Sequence, residues 1–177
     1  MCESAARLRR SSNLLRQALS LRGGYLLAWT AFSLIATLGQ WAVERMGLLT
    51  PSMASASSAL GGLILVAAGL YQWTPLKDVC LRQCQFPLQF IQGHGGFRAD
   101  AIGSLALGAR HGVYCVGCCW VLMALLFVGG VMNVFWIALI SIFVLAEKVV
   151  PVRRLISRFA GTLFFAVGVW LIASSLR

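Results

Sequence analysis

Acidic residues are scarce in this chain. Its 177 residues include five Asp and Glu against 15 Lys and Arg, and charged residues make up only 11% of it. A soluble domain carries about 25% charged and about 45–50% apolar residues. Here the apolar share is 59% and the mean hydropathy is +0.83. So little charge excludes a disordered chain, a collagen and an ordinary cytosolic enzyme. Long charge-free stretches cannot all hide in so small a soluble core, so a polytopic membrane protein is expected. Low-complexity tracts, internal repeats and charged tails are also missing. So are a P-loop, a dinucleotide fingerprint, a His-Glu-x-x-His and any Ser-His-Asp set that the two histidines could serve. Asp78 and Asp100 read as loop residues with no acid–base partner, and no enzyme is expected. The formal charge of +10 comes without a nucleic-acid-binding motif, so it is read as a topology signal and nucleic acid is not an expected partner.

What is present is a series of apolar runs. Five stand out, at residues 23–43, 57–76, 113–131, 133–150 and 160–176. Each is close to the length that crosses ~30 Å of hydrocarbon as a helix. A lone strand could not satisfy its backbone in lipid. The fold class expected is therefore all-α: one transmembrane helix bundle of about five spans covering residues 1–177.

Turn residues agree. Gly47 and Pro51 fall between the first two runs, and Pro87, Gly93, Gly95 and Gly96 between the second and third. Gly129 and Gly130 mark a hairpin before the fourth, which Pro151 ends. Pro75 is expected to kink the second helix. Basic residues sort by side. Arg7, Arg9, Arg10, Arg16 and Arg22 precede the first span. Lys77, Arg82, Arg98 and Arg110 follow the second, and Lys148 at the end of the fourth, with Arg153, Arg154 and Arg158 after it, lies on the same side. The opposite side has Arg45 and Arg177. The positive-inside rule then puts the N-terminus in the cytoplasm. The first run is long and lacks a small-x-small cleavage site, so it reads as a retained anchor.

Five of the six cysteines form two clusters, Cys80 with Cys84, and Cys115 with Cys118 and Cys119; Cys2 reads as incidental. On a helix Cys80 and Cys84 share a face, with Lys77 on the same side. His111, Cys115, Cys118 and Cys119 fall within about a 100° sector, with Met123 at its margin. Topology places both clusters near the cytoplasmic membrane face. Thiolate and imidazole suit Cu(I) first and Zn(II) second. Cysteines in a reducing compartment more often bind metal or act in redox than form structural disulfides. Lys77, Arg82 and Arg110 would hold thiolates in their charged form. If the second and third spans pack side by side, Cys80, Cys84, His111 and Cys115 supply the first ligands, and Cys118 and Cys119 extend the site. Packing of small residues is the competing explanation for Cys118 and Cys119. His94, in a glycine-rich stretch, reads as a solvated loop residue. Glu147 is expected to face Arg110, Lys77 or a metal, and a structural ion pair is favoured. Gln40 and Asn133 read as interhelical hydrogen-bonding residues.

The stretches Tyr71-Gln-Trp-Thr-Pro-Leu-Lys77 with Cys80-Leu-x-x-Cys84, Gly108-x-x-His111-Gly-x-Tyr-Cys115-x-Gly-Cys118-Cys119-Trp120, and Gly130-x-Met132-Asn133-x-x-Trp136 ending in Glu147-Lys148 are similar to blocks of a bacterial family of integral membrane proteins with a proposed metal-binding role, sometimes described as copper chaperones. The resemblance covers roughly residues 70–150. It implies a multi-pass inner-membrane protein that hands metal to a cuproprotein or another metal-accepting partner. Family members begin with a further apolar segment bearing Trp-x-x-Met and Ala-Met-Met-x-x-Pro patterns, which this chain lacks; it is expected to be a short member or to lack its start. Two other readings stand beside copper handling. One is a membrane thiol–disulfide protein using Cys115-x-x-Cys118. The other is a structural or transport subunit without metal, in which a homo-oligomer could build a pathway between protomers.

Overall fold

The computed structural model describes the backbone of residues 2–50, 55, 57–94, 100–150 and 153–176, and the side chains of these except 2–12 and 153. The chain is all-α. Among the described residues eight helices follow one another: α1 (Cys2–Arg45), α2 (Ser58–Gln72), α3 (Pro75–Gln85), α4 (Pro87–Gly93), α5 (Ala101–Ala124), α6 (Leu126–Gly129), α7 (Val134–Val149) and α8 (Arg153–Ser175). Among the described residues the only extended pairing is a single antiparallel bridge between Leu49 and Ser55. Pro51, Gly95, Gly96, Arg98, Pro151 and Arg177 lie outside the described residues.

Among the described residues three stretches are long and apolar enough to cross a membrane: Asn13–Arg45, Ala101–Gly129 and Arg154–Ser175. A fourth qualifies if α2 and α3, bent by 70° at their junction, count as one span. Pro75 is the first residue of α3, so the expected kink is a break. Thr74 ends the first segment, its backbone N–H bonded to Tyr71 O, and its hydroxyl donating there too, at 2.7 Å. α7 holds 16 residues, about 24 Å of helix.

Two helices begin well before their apolar runs. α1 starts at Cys2 rather than near Gly23, because the arginine-rich head continues the same helix. α5 starts at Ala101, so His111 lies inside a helix and not ahead of a span. Asp100 is the reason. Its carboxylate accepts from Gly103 N at 2.7 Å and its carbonyl from Ser104 N at 3.1 Å, which satisfies donors that a helix start leaves open. Asp100 is thus a cap, and Asp78, also expected in a loop, lies in the first turn of α3. Asn133 corrects another expectation. It caps α7, its side-chain oxygen accepting from Trp136 N at 3.2 Å, instead of bridging helices.

The chain forms two compact units, residues 1–35 with 82–116, and residues 36–81 with 117–177. In the first, the start of α5 lies directly on α1. Gly108 abuts the Leu21 carbonyl, Gly24 abuts Leu105 O, and a Cβ on Gly112 would stand 2.7 Å from that of Ala28. Phe90, Ile91 and Leu107 form its buried apolar cluster, with Leu21 and Tyr114 against it. In the second, α2 and α8 cross through paired glycines seven residues apart. A Cβ on Gly62 would meet Gly168 O at 2.8 Å, and one on Gly69 would meet Gly161 O at 2.7 Å. Small residues allow such backbone approach, which supplies the packing that hydrophobic burial cannot drive in lipid.

Candidate metal site

The helical repeat of α5 sets His111 and Cys115 one turn apart on one face. Their side chains meet: Cys115 Sγ lies 3.7 Å from His111 Nε2. Cys115 is buried, and aromatic rings flank the imidazole, Phe90 with its centroid at 5.2 Å and Tyr25 at 6.0 Å. Phe90 also packs on Tyr114, 5.7 Å away edge-on, and on His94 at 4.3 Å. His94 is therefore no solvated loop residue. It is half-buried at the end of α4, with its Nδ1 2.8 Å from Phe90 O. Cys84 lies half-buried in this unit near the end of α3.

The second unit holds Cys80, Cys118 and Cys119, all buried. Cys80 packs on Gly117, where a Cβ would come within 3.1 Å of its sulfur. Tyr71 donates its hydroxyl to Gly117 O at 2.5 Å and meets the Trp120 ring edge-on at 5.6 Å. Cys80, Cys118 and Cys119 all lie within electrostatic reach of Tyr71, and Cys118 and Cys119 within reach of the Lys77 ammonium. None of the five cysteines described here is in a disulfide.

Beside these thiols sits a buried polar network drawn from four helices. Lys77 Nζ donates to both carboxylate oxygens of Glu147, at 2.7 and 2.8 Å, and to the side-chain oxygen of Gln72. Ser157 donates its hydroxyl to Glu147 Oε1 at 2.8 Å. All four side chains are buried. Ionisable groups at such depth persist only when paired and hydrogen-bonded, and both conditions are met. Of the partners expected for Glu147, the structure selects Lys77. The next residue of α3, Asp78, pairs with Arg154 at 2.9 Å on the exposed side.

Of the residues read as metal ligands, the structure brings His111 and Cys115 into direct contact. Among the described residues no three His, Cys, Asp or Glu side chains gather closely enough to hold a metal ion, so the closed set of four donors that zinc prefers is not formed. Met123 is half-buried one turn beyond Cys119. Sequence reading passed over Phe90, Tyr25, Gly117, Gln72 and Ser157. A ring, a glycine or a lone hydroxyl has no spacing signature of its own; only Gln72, a polar residue inside an apolar run, offered a signal.

A family model described as PpoB2, copper chaperone, matches residues 1–171 of the chain. No curated protein and no solved structure matches it.

Proposed function

Because the chain belongs to this family of copper chaperones, we propose that it is a multi-pass inner-membrane protein that carries Cu(I) on His111 and Cys115 for delivery to a cuproprotein. The contact between Cys115 Sγ and His111 Nε2 carries the reading. Metal–nitrogen and metal–sulfur bonds of about 2.0–2.1 and 2.3 Å span at most about 4.4 Å between donors. The 3.7 Å separation fits one ion bound by both with a bent angle. Such an ion would take the place of the hydrogen between thiol and imidazole. Sulfur and imidazole nitrogen are donors that favour soft Cu(I) over hard cations, and the reducing cytoplasm keeps the thiol available. Copper is cargo here, so a site short of a closed cage supports release: an ion with an open position can be taken by a partner's ligand.

Cys80, Cys84, Cys118 and Cys119 offer further sulfur on α3 and α5. Among the described residues three helices of sufficient length support insertion in a membrane, and the arginine-rich head before the first apolar run favours a cytoplasmic N-terminus. The test is copper per chain, by elemental analysis, after purification from the membrane in reducing buffer. Wild type should carry copper, and Cys115→Ser and His111→Ala should lose it. Unchanged copper in both variants rejects the site.

A further inference from the structure

The 70° bend between α2 and α3 is pinned to the start of α8. Trp73 Nε1 donates to Arg158 O at 3.3 Å, and the Trp73 ring lies 5.8 Å from that of Phe165. The apolar stretch of α8 begins at Arg154. Arginines at the end of a span keep their guanidinium groups among the headgroups, and tryptophan rings collect at the same depth. The hydrogen bond therefore sets the end of α2 level with the charged end of α8. The 15 residues of α2 rise about 22 Å, nearly as far as the 16 of α7.

From that level α3 turns aside, and its first two turns have three different sides. Lys77, Cys80 and Leu81 are buried. Leu76 and Val79, about 60° apart around the axis, are 60% and 52% exposed. Asp78 takes the remaining side, where its carboxylate accepts from Arg154 Nε at 2.9 Å. A helix with an apolar exposed side and a charged one lies along a membrane interface. Continued across the bilayer, α3 would carry the exposed Asp78–Arg154 pair into hydrocarbon, which is costly for any charge. Arg154 and Arg158 stand one turn apart on α8, both exposed. A guanidinium has five N–H donors, so Arg154 can serve a second acceptor while Nε holds Asp78. Two cations against one carboxylate leave this corner positive, and the guanidinium fork matches phosphate. All of these residues belong to the second unit.

We propose that residues 73–79 form an interfacial step docked on lipid: Leu76 and Val79 enter the acyl boundary, and Arg154 with Arg158 hold the phosphate of an anionic phospholipid. The proposal rests on the reading that α8 spans a membrane.

The test uses the full chain in vesicles of phosphatidylcholine with phosphatidylglycerol. A nitroxide on Val79→Cys reports depth through its relaxation by oxygen and by a water-soluble nickel chelate, with labelled wild type giving the background from native cysteines. The label should sit about 5–10 Å below the headgroups. A label at the bilayer centre, or one as open to nickel as a label in water, overturns the proposal. If Val79→Cys does not elute as folded protein, Leu76→Cys takes its place. Leu163→Cys, on the exposed apolar side of α8, checks the underlying reading separately. Its label should lie deep in hydrocarbon, and nickel access there fails membrane insertion instead. Spin-labelled phosphatidylglycerol should be immobilised in preference to spin-labelled phosphatidylcholine. Arg154→Gln/Arg158→Gln should lower that preference by about fivefold per arginine, and Arg45→Gln should leave it nearly unchanged. An unaltered preference in the double variant overturns the phosphate site, and so does an equal loss per residue in Arg45→Gln, which would mark diffuse attraction to a chain of net charge +10.

Discussion

Lys77 Nζ sits between the two carboxylate oxygens of Glu147, at 2.7 and 2.8 Å, with the side chains 1% and 2% exposed. The pair ties α3 to α7, and α3 is the helix that carries Cys80 and Cys84. Removing one partner strands the other charge in a dry interior, at a cost of about 3–5 kcal/mol. Lys77→Met and Glu147→Gln should each sharply lower the thermal midpoint of the purified chain in detergent. The double variant Lys77→Met/Glu147→Met should recover most of the loss, because no uncompensated charge remains. Single variants as stable as wild type would show that the pair does not hold the unit together.

The neighbouring pair, Asp78 with Arg154, should behave differently. Arg154 is 66% exposed, and exposed pairs contribute at most about 1 kcal/mol. Arg154→Gln should shift the midpoint only slightly. Because the Debye length falls to about 3 Å in 1 M salt, even that difference should vanish there, while the effect of Glu147→Gln persists.

Glycines at the α2–α8 crossing should tolerate no side chain. Gly69→Val pushes against Gly161 O and Phe165 N, which a Cβ would meet at 2.7 and 2.8 Å. Overpacking of this kind costs about 1–3 kcal/mol. Gly39→Ala in α1 meets nothing within 4 Å and should be neutral, or stabilising by up to about 1 kcal/mol through helix propensity. Thermal unfolding of the two variants side by side checks the contrast.

Loss of the α5 cap should be local. Asp100→Ala removes the acceptor of Gly103 N and should cost about 1 kcal/mol. Hydrogen exchange should quicken over the first turn of α5 and stay unchanged around Cys118. Faster exchange along the whole helix would mean that the cap controls more than its own turn.

Metal removal supplies a further check on the copper reading. In copper-loaded protein Cys115 should resist alkylation, and stripping with a Cu(I) chelator should restore its labelling, read by peptide mass spectrometry. Equal labelling of Cys115 with and without copper would place the ion elsewhere.

Hydropathy located the apolar helices to within a few residues where chain and lipid demand the same thing, as in α7 and the second half of α5. It missed the first half of α5 and the head of α1: Arg110 interrupts the apolar run of α5, so Ala101–Ala109 stands apart from it, and the arginine-rich start of α1 is helical without being apolar. Asp100 was a visible cap signal that its isolation in a glycine-bounded stretch obscured. The His111–Cys115 pairing followed from the 3.6-residue repeat alone, since residues one turn apart on one helix meet whatever the rest of the chain does.

Composition and periodicity by themselves determined that this is a helical chain with membrane-length segments and a thiol–imidazole stripe, because each of these properties is local to a segment. Tertiary structure alone decided that Glu147 pairs with Lys77, that Cys80 rests on Gly117, and that one phenyl ring joins His94 to His111. Those contacts join residues distant in sequence, and they depend on which helix faces approach each other. Side-chain packing and glycine-mediated backbone contact set that approach; the seven-residue glycine spacing on α2 and α8 is visible in the sequence, but not which helix each glycine pair meets.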